Sequence, residues 1–112
     1  MNKLSWFYIM RLGVTDLYKL GYTTNVEKRL KDINQYMEAP NSCYPDKYHL
    51  YSCIFTKEFK TEKEAYNFEQ KVFDEVEEYM RLNSINLHVD KESYKMEWNV
   101  LQSIFTILEI NL

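Results

Sequence analysis

Three short segments of the chain are rich in aromatic and branched residues and follow the period of two that is typical of β-strands. They span residues 5–11, 17–22 and 48–56. Only residues 12–16 separate the first two segments, so these should pair as a hairpin. Both faces of the third segment are mostly apolar, which predicts that it is the central strand of a three-stranded antiparallel sheet.

Three other segments carry apolar residues at helical spacing. The predicted helices span residues 25–37, 61–82 and 99–110. The residues expected to cap their starts are Thr24 or Asn25, then Thr61 with Glu64, and then Asn99 with Gln102. The pattern thus predicts a small α/β (α+β) domain in which helices flank the sheet. The core should include Phe7, Ile9, Leu30, Ile54, Phe68, Val72 and Phe105.

One acidic residue of the second predicted helix lies on its apolar side. Glu69 follows Ala65 by four residues and precedes Val72 by three, so its carboxylate should point along the apolar stripe. The acids at positions 74, 75, 77 and 78 fit a solvated surface better. A carboxylate that is partly removed from water needs a cation or a hydrogen-bond donor.

The composition is that of one folded domain covering residues 1–112. No apolar run approaches the roughly 20 residues of a membrane span, and the N-terminus has no secretory pattern. We therefore expect an intracellular protein, cytoplasmic or nuclear, that does not bind membranes.

Cys43 and Cys53 should then be free thiols. With His49 and His88 they could supply four zinc ligands, but their spacing fits no familiar zinc motif, and structural roles are preferred.

The formal net charge is −3, which argues against tight electrostatic binding of nucleic acid. The charge is unevenly distributed along the chain. Residues 1–31 contain six basic and two acidic groups, a balance of +4, whereas residues 32–112 contain eight basic and fifteen acidic groups, a balance of −7. We therefore expect a substrate with local structure, a tethering protein partner, or modest affinity.

Three polar groups of different chemistry occupy the locally positive end of the chain. Tyr8 lies in the middle of the first predicted strand, Lys19 lies on the neighbouring strand, and Arg29 lies beside the apolar stripe of the first helix. A phenol, an ammonium and a guanidinium together suit a phosphodiester. Gly21, near the end of the second strand, permits a bulge or the close approach of a bound backbone.

These residues resemble the motifs of the GIY-YIG nuclease superfamily. The first motif usually reads Gly-Ile-Tyr or Gly-Val-Tyr and is here Trp6-Phe7-Tyr8, while the second usually reads Tyr-Ile-Gly and is here Lys19-Leu20-Gly21. Arg29 follows Gly21 by eight residues, as the family's arginine does, and Gly21-Tyr22-Thr23 is similar to its glycine-x-threonine run. Lysine in place of the second tyrosine is characteristic of a phage and viral branch, and of some restriction enzymes.

The resemblance implies a metal-dependent endonuclease that hydrolyses phosphodiester bonds in DNA and makes one nick at each encounter. In this family a glutamate on the helix after the third strand is the single protein ligand of a divalent metal, and residues 65–69 match its local pattern. Glu69 is thus expected to bind Mg²⁺ or Mn²⁺. The implied catalytic residues are Tyr8, Lys19, Arg29 and Glu69. The implied substrate-binding residues are Gly21, Tyr22, Thr23, Lys28 and Lys31.

Tyr8 would be the general base, provided that Lys19 or the metal site lowers its pKa from the reference value of about 10. Arg29 would offset charge on the phosphate. The chain departs from the family at Trp6, where a glycine is usual, and at Asp32, where some members have histidine. The supporting asparagine of the family cannot be chosen among Asn83, Asn86 and Asn99.

A second interpretation is a catalytically silent module of the same fold that binds a protein or nucleic acid, such as a viral accessory protein. The acidic part of the chain supports it, and a salt bridge between Glu69 and Arg29 would favour it. An RNA-directed nuclease is a third interpretation. A monomer or a weak homodimer is expected, because one site cuts one strand and two cuts need a dimer or two encounters.

Overall fold

The computed structural model describes residues 3–38 and 50–112. Its strands are β1 (Ser5–Leu12), β2 (Leu17–Thr23), β3 (Tyr51–Phe59) and β4 (Ser93–Lys95), and its helices are α1 (Val26–Glu38), α2 (Glu62–Asn83) and α3 (Trp98–Ile107). The predicted strands and helices therefore exist, with boundaries shifted by a few residues. The predicted start of the third strand at residues 48–49 and the thiol of Cys43 lie outside the described residues.

The sheet is antiparallel and has four strands in the order β3-β1-β2-β4. The hairpin prediction is confirmed, because β1 pairs with β2 from Trp6 opposite Thr23 to Arg11 opposite Tyr18. Two expectations about the sheet are wrong. The third predicted strand, β3, lies at an edge of the sheet, and the two central strands are β1 and β2. A fourth strand, β4, pairs with β2; its residues belong to a polar segment for which the sequence predicts no strand. Three residues are too few to show a strand pattern.

A β-bulge in β3 explains why this edge strand has apolar residues on both faces. Ile9 pairs with Phe55 and Met10 pairs with Cys53, so Ile54 has no partner in the ladder. The extra residue reverses the order in which the side chains of β3 alternate between the two faces of the sheet. Cys53 therefore joins the apolar residues on the α1 side, whereas Phe55 packs on the opposite side of the sheet.

The core has two parts, one on each side of the sheet. Helices α2 and α3 cover one face, where Phe7, Ile9, Val72 and Phe105 are fully buried. Helix α1 covers the other face, whose buried residues are Tyr8, Met10, Leu12, Ile33 and Tyr51. Leu30 and Phe68 are partly buried against these clusters. Ile54 was expected in the core, but as the bulged residue it is 39% exposed.

The helix starts agree with the capping predictions in two of three cases. Asn25 Oδ1 accepts a hydrogen bond from Lys28 N at 3.0 Å, and Thr61 Oγ1 accepts one from Glu64 N at 3.2 Å. The prediction for the third helix is wrong. Helix α3 begins at Trp98 after Glu97, whose side chain makes no capping bond, and it ends at Ile107 instead of 110.

None of the helices in the described part of the chain is both long and apolar enough to cross a bilayer.

Candidate active site

Tyr8 and Gly21 form the floor of the candidate site, on the side of the sheet that α1 covers. They face each other in the β1–β2 ladder. A Cβ atom on Gly21 would lie 2.5 Å from Tyr8 Oη and 2.8 Å from Cζ, so the phenol rests directly against the glycine backbone. Gly21 is thus needed for the close approach of the Tyr8 side chain, and the expected approach of a bound backbone stays a prediction.

Arg29 connects helix α1 to this tyrosine. Its Nε donates to Tyr8 Oη at 3.3 Å, and its Nη2 donates to Glu92 Oε2 at 3.2 Å. Tyr8 is 1% exposed, whereas the Arg29 and Glu92 side chains are each 40% exposed. A guanidinium is therefore held between a buried phenol and a solvent-accessible carboxylate.

The electrostatics of Tyr8 differ from the expectation of a lowered pKa. Burial raises the pKa of Tyr8, and the Arg29 hydrogen bond opposes this only in part. The carboxylates of Glu92 and Glu69 raise it further. The Tyr8 hydrogen bond in turn raises the pKa of Arg29, so the guanidinium stays charged. A pKa raised above the ordinary value of about 10 leaves the Tyr8 phenol neutral at physiological pH.

Glu69 is buried on helix α2, as its position on the apolar stripe predicts, with 9% of its surface exposed. Its Oε1 accepts a hydrogen bond from Gln70 Nε2 at 3.3 Å. Burial and then the neighbouring charge of Glu92 raise the pKa of Glu69. Within residues 3–38 and 50–112, no lysine or arginine forms a salt bridge with it.

Lys19 contacts the neighbouring strand β4 and the Tyr51 ring. Its Nζ donates to Ser93 Oγ on β4 at 3.2 Å and lies 5.9 Å from the centre of the Tyr51 ring. Its charge also helps to lower the pKa of Asp90. The structure therefore joins Tyr8 and Arg29 directly, and it places the Lys19 ammonium beside β4.

The five expected substrate-binding residues occupy different environments. The Tyr22 ring meets Tyr66 edge to face at 6.0 Å between centroids. Thr23 Oγ1 accepts from Asn25 N at 3.2 Å, which helps to start α1. Lys28 and Lys31 are exposed on α1, and Gly21 lies under Tyr8.

Glu92 is a site residue that the sequence does not reveal. It lies just before β4, where Asp90 Oδ1 accepts from Glu92 N at 3.0 Å and the Glu92 carbonyl accepts from Leu20 N at 3.0 Å. These bonds fix the loop against β2. Two of the asparagines considered for a supporting role have side chains engaged elsewhere: Asn83 Nδ2 donates to Tyr79 O, and Asn86 Oδ1 accepts from His88 N. At Asn99 the backbone carbonyl accepts from Ser103 Oγ, which leaves the role of its side chain open.

The chemistry of Glu69 fits a divalent cation better than a structural salt bridge. Among the described residues, the donor that contacts this carboxylate is the Gln70 amide, and burial together with a second carboxylate, Glu92, raises its pKa. The described residues contain no cluster of three His, Cys, Asp or Glu side chains. One buried carboxylate suits Mg²⁺, which keeps most of its water ligands.

The chain matches the model of a known protein family. Residues 4–83 match the family model described as the GIY-YIG catalytic domain, and this range covers well over half of the chain. The chain belongs to the GIY-YIG family, whose members are typically endonucleases and generally use divalent metals. No curated protein and no solved structure gives a significant match. The family match does not distinguish branches, so the phage and viral assignment stays a prediction.

Proposed function

We propose that residues 1–112 form one GIY-YIG nuclease domain that nicks DNA in a reaction dependent on Mg²⁺ or Mn²⁺. The observation that carries the proposal is the direct contact between Arg29 and Tyr8. The Arg29 guanidinium contacts the Tyr8 phenol, and the buried Glu69 carboxylate influences the pKa of Tyr8 and is itself influenced by Glu92. Arg29 can bind a phosphate, Tyr8 can accept a proton, and Glu69 can bind a divalent ion.

Arg29 is the proposed phosphate ligand. Its ion pair with Glu92 is 40% exposed on each side, and such exposed pairs contribute only about 0–1 kcal/mol. A phosphate can therefore displace Glu92 at little cost. A guanidinium donates two parallel hydrogen bonds to phosphate oxygens and offsets the charge that develops when water attacks phosphorus.

Tyr8 is the proposed general base, acting through its ionised fraction. The Arg29 Nε donates to Tyr8 Oη and stabilises a phenolate there, although burial still leaves the pKa raised. The phenolate would take one proton from the attacking water as the new P–O bond forms and the P–O bond to the leaving sugar oxygen breaks. This role favours alkaline pH, because the ionised fraction of Tyr8 grows with pH.

Glu69 would hold the metal, and a bound divalent ion would supply positive charge to stabilise the leaving oxygen. Lys19, Tyr22, Thr23, Lys28 and Lys31 are proposed to position the DNA strand around this centre. Because each domain has one such site, we propose that one encounter cuts one strand, and that the protein acts as a monomer or a weak homodimer.

The test is a plasmid-nicking assay with Mg²⁺ or Mn²⁺, comparing the wild type with Glu69→Gln. Asp74→Asn is the matched control, because Asp74 is an exposed acid one turn and a half further along α2. We expect relaxed circles from the wild type and the control and none from Glu69→Gln. Equal nicking by all three proteins would refute the role of Glu69, and no nicking by any of them would refute the nuclease proposal.

The silent binding module is the second candidate, and the ion pair that Arg29 forms helps to distinguish it from the nuclease. A salt bridge between Glu69 and Arg29 would favour it, but Arg29 pairs with Glu92 instead. This arrangement leaves Glu69 available for a cation and supports the nuclease. The acidic balance of residues 32–112 still favours modest DNA affinity or a protein partner that tethers the enzyme to its substrate.

A further inference from the structure

A groove of about 490 Å³ opens between β1, β3 and the start of α1. Its lining residues are Trp6, Thr24, Asn25, Val26, Glu27 and Thr56. Trp6 is half-buried here, although it occupies a position where the family usually has glycine. Among the described residues, neither of the two core clusters includes Trp6, and the proposed chemistry does not use its ring.

The groove adjoins the proposed phosphate site. Trp6 precedes Tyr8 by two residues and therefore lies on the same face of β1, about 7 Å along the strand. Thr56 pairs directly with Tyr8 across the sheet. Val26 precedes Arg29 by three residues, so their side chains are neighbours on α1. A nucleotide whose phosphate binds Arg29 has an adjacent base within reach of the groove.

The lining chemistry suits a nucleobase better than a phosphate. Trp6 and Val26 provide flat and apolar surface, while Thr24, Asn25 and Thr56 offer hydrogen-bonding groups. The carboxylate of Glu27 would repel a phosphate but can accept a hydrogen bond from a base amino group, as acidic side chains do from cytosine N4. Stacking on an aromatic side chain strengthens the binding of any base, because every base has a flat π-face.

We infer that this groove binds one unstacked base of the DNA strand that is cut, with the base stacked on Trp6 and an amino group directed to Glu27. The inference deepens the proposed function and rests on it. It defines the substrate as DNA with an unpaired or easily unpaired nucleotide beside the cleaved bond, because a base inside a regular duplex cannot enter the groove. An enzyme with acidic overall charge gains affinity in this way without many phosphate contacts.

The first experiment follows binding without relying on cleavage. The chain has two tryptophans, so Trp98→Phe leaves Trp6 as the sole tryptophan. Trp98 packs on Tyr18 away from the groove, and this variant should keep wild-type activity. In Ca²⁺, single-stranded oligonucleotides should quench Trp6 fluorescence. One abasic position in an otherwise identical oligonucleotide should abolish most of the quenching and weaken binding about tenfold.

The second experiment uses cleavage and compares Trp6→Phe with Trp6→Leu. Both substitutions keep an apolar side chain, but only phenylalanine keeps a stacking face. We expect Trp6→Phe to stay within threefold of wild-type KM and Trp6→Leu to raise KM about tenfold, with kcat little changed. Glu27→Gln should reduce the preference for cytosine or adenine over thymine at the position found by the abasic scan. Thermal melts of each variant confirm folding.

The outcomes separate the inference from the proposed function. If DNA is nicked but Trp6→Leu matches Trp6→Phe and no abasic position matters, the groove does not bind a base and the nuclease proposal stands. If Trp6 is quenched with the expected dependence on one base but no DNA is cut in any divalent ion, the groove is supported and the nuclease proposal fails. Quenching that is identical for intact and abasic strands would also overturn the inference.

Discussion

The substitution Gly21→Ala tests whether the Tyr8 ring must rest against the backbone of β2. The new Cβ would lie 2.5 Å from Tyr8 Oη, 2.8 Å from Cζ and 3.2 Å from Cε2. Heavy atoms at ordinary contact are about 3.5–4.0 Å apart. Tyr8 is 1% exposed, so its ring cannot move toward solvent without disturbing the α1 side of the core.

The clash should outweigh the benefit of replacing glycine in a strand. Alanine removes backbone freedom from the unfolded chain, which stabilises by about 0.4–1 kcal/mol where no strain results. Overpacking of a closed core costs about 1–3 kcal/mol. We therefore expect a net loss of about 1–2 kcal/mol in the free energy of unfolding, which for a chain of this size lowers Tm by about 4–10 °C.

Urea and thermal unfolding would measure this loss, and Tyr8→Phe supplies the control. Phenylalanine lacks the oxygen that makes the closest contact, so Gly21→Ala should cost less in the Tyr8→Phe background than in the wild type. Nicking by Gly21→Ala should also fall, because displacing the phenol breaks the Arg29 hydrogen bond. A Tm within about 1 °C of the wild type, well inside the expected shift, would refute the reasoning.

Four further predictions concern individual side chains. At free Mg²⁺ ten times its Kd, wild type and Asp74→Asn should gain about 1.4 kcal/mol, or about 6 °C in Tm, whereas Glu69→Gln should gain nothing in the same melts. Arg29→Lys should lose about 100-fold in kcat although net charge is unchanged, and equal rates would contradict the bidentate role. In nicking assays Lys19→Tyr, the usual family residue, should retain more activity than Lys19→Ala. Burial raises the pKa of Tyr94 to about 12, so stability should be full below pH 10 and fall between pH 10 and 12; urea titrations at these pH values should show a shallower fall for Tyr94→Phe.

The sequence predicts the parts of the site that lie on regular elements. Glu69 is recognisable because it interrupts an apolar stripe, and the structure buries it as expected. Tyr8 and Arg29 are recognisable by their motif spacing and prove to be in contact. The direction of the Tyr8 pKa shift could not be predicted, because it depends on how completely the ring is buried and on carboxylates from two other parts of the chain.

Glu92 shows why the remainder of the site could not be predicted. It lies in a short polar loop, and its contact with Arg29 spans 63 residues of sequence. Its position depends on the pairing of β4 with β2 and on the turn formed by Asp90, and three strand residues leave no periodic signal. A local pattern cannot specify a contact that a long-range pairing creates.

The bulge at Ile54 gives β3 an unusual tolerance to a change in length. In a regular strand, deletion of one residue turns every following side chain to the opposite face. Here Cys53 and Phe55 already pair with the consecutive residues Met10 and Ile9, so a chain without Ile54 would form a continuous ladder with each remaining side chain on its present face. Relatives that are one residue shorter at this point can therefore keep both halves of the core. A deletion elsewhere in the strand would turn the following side chains from one side of the sheet to the other.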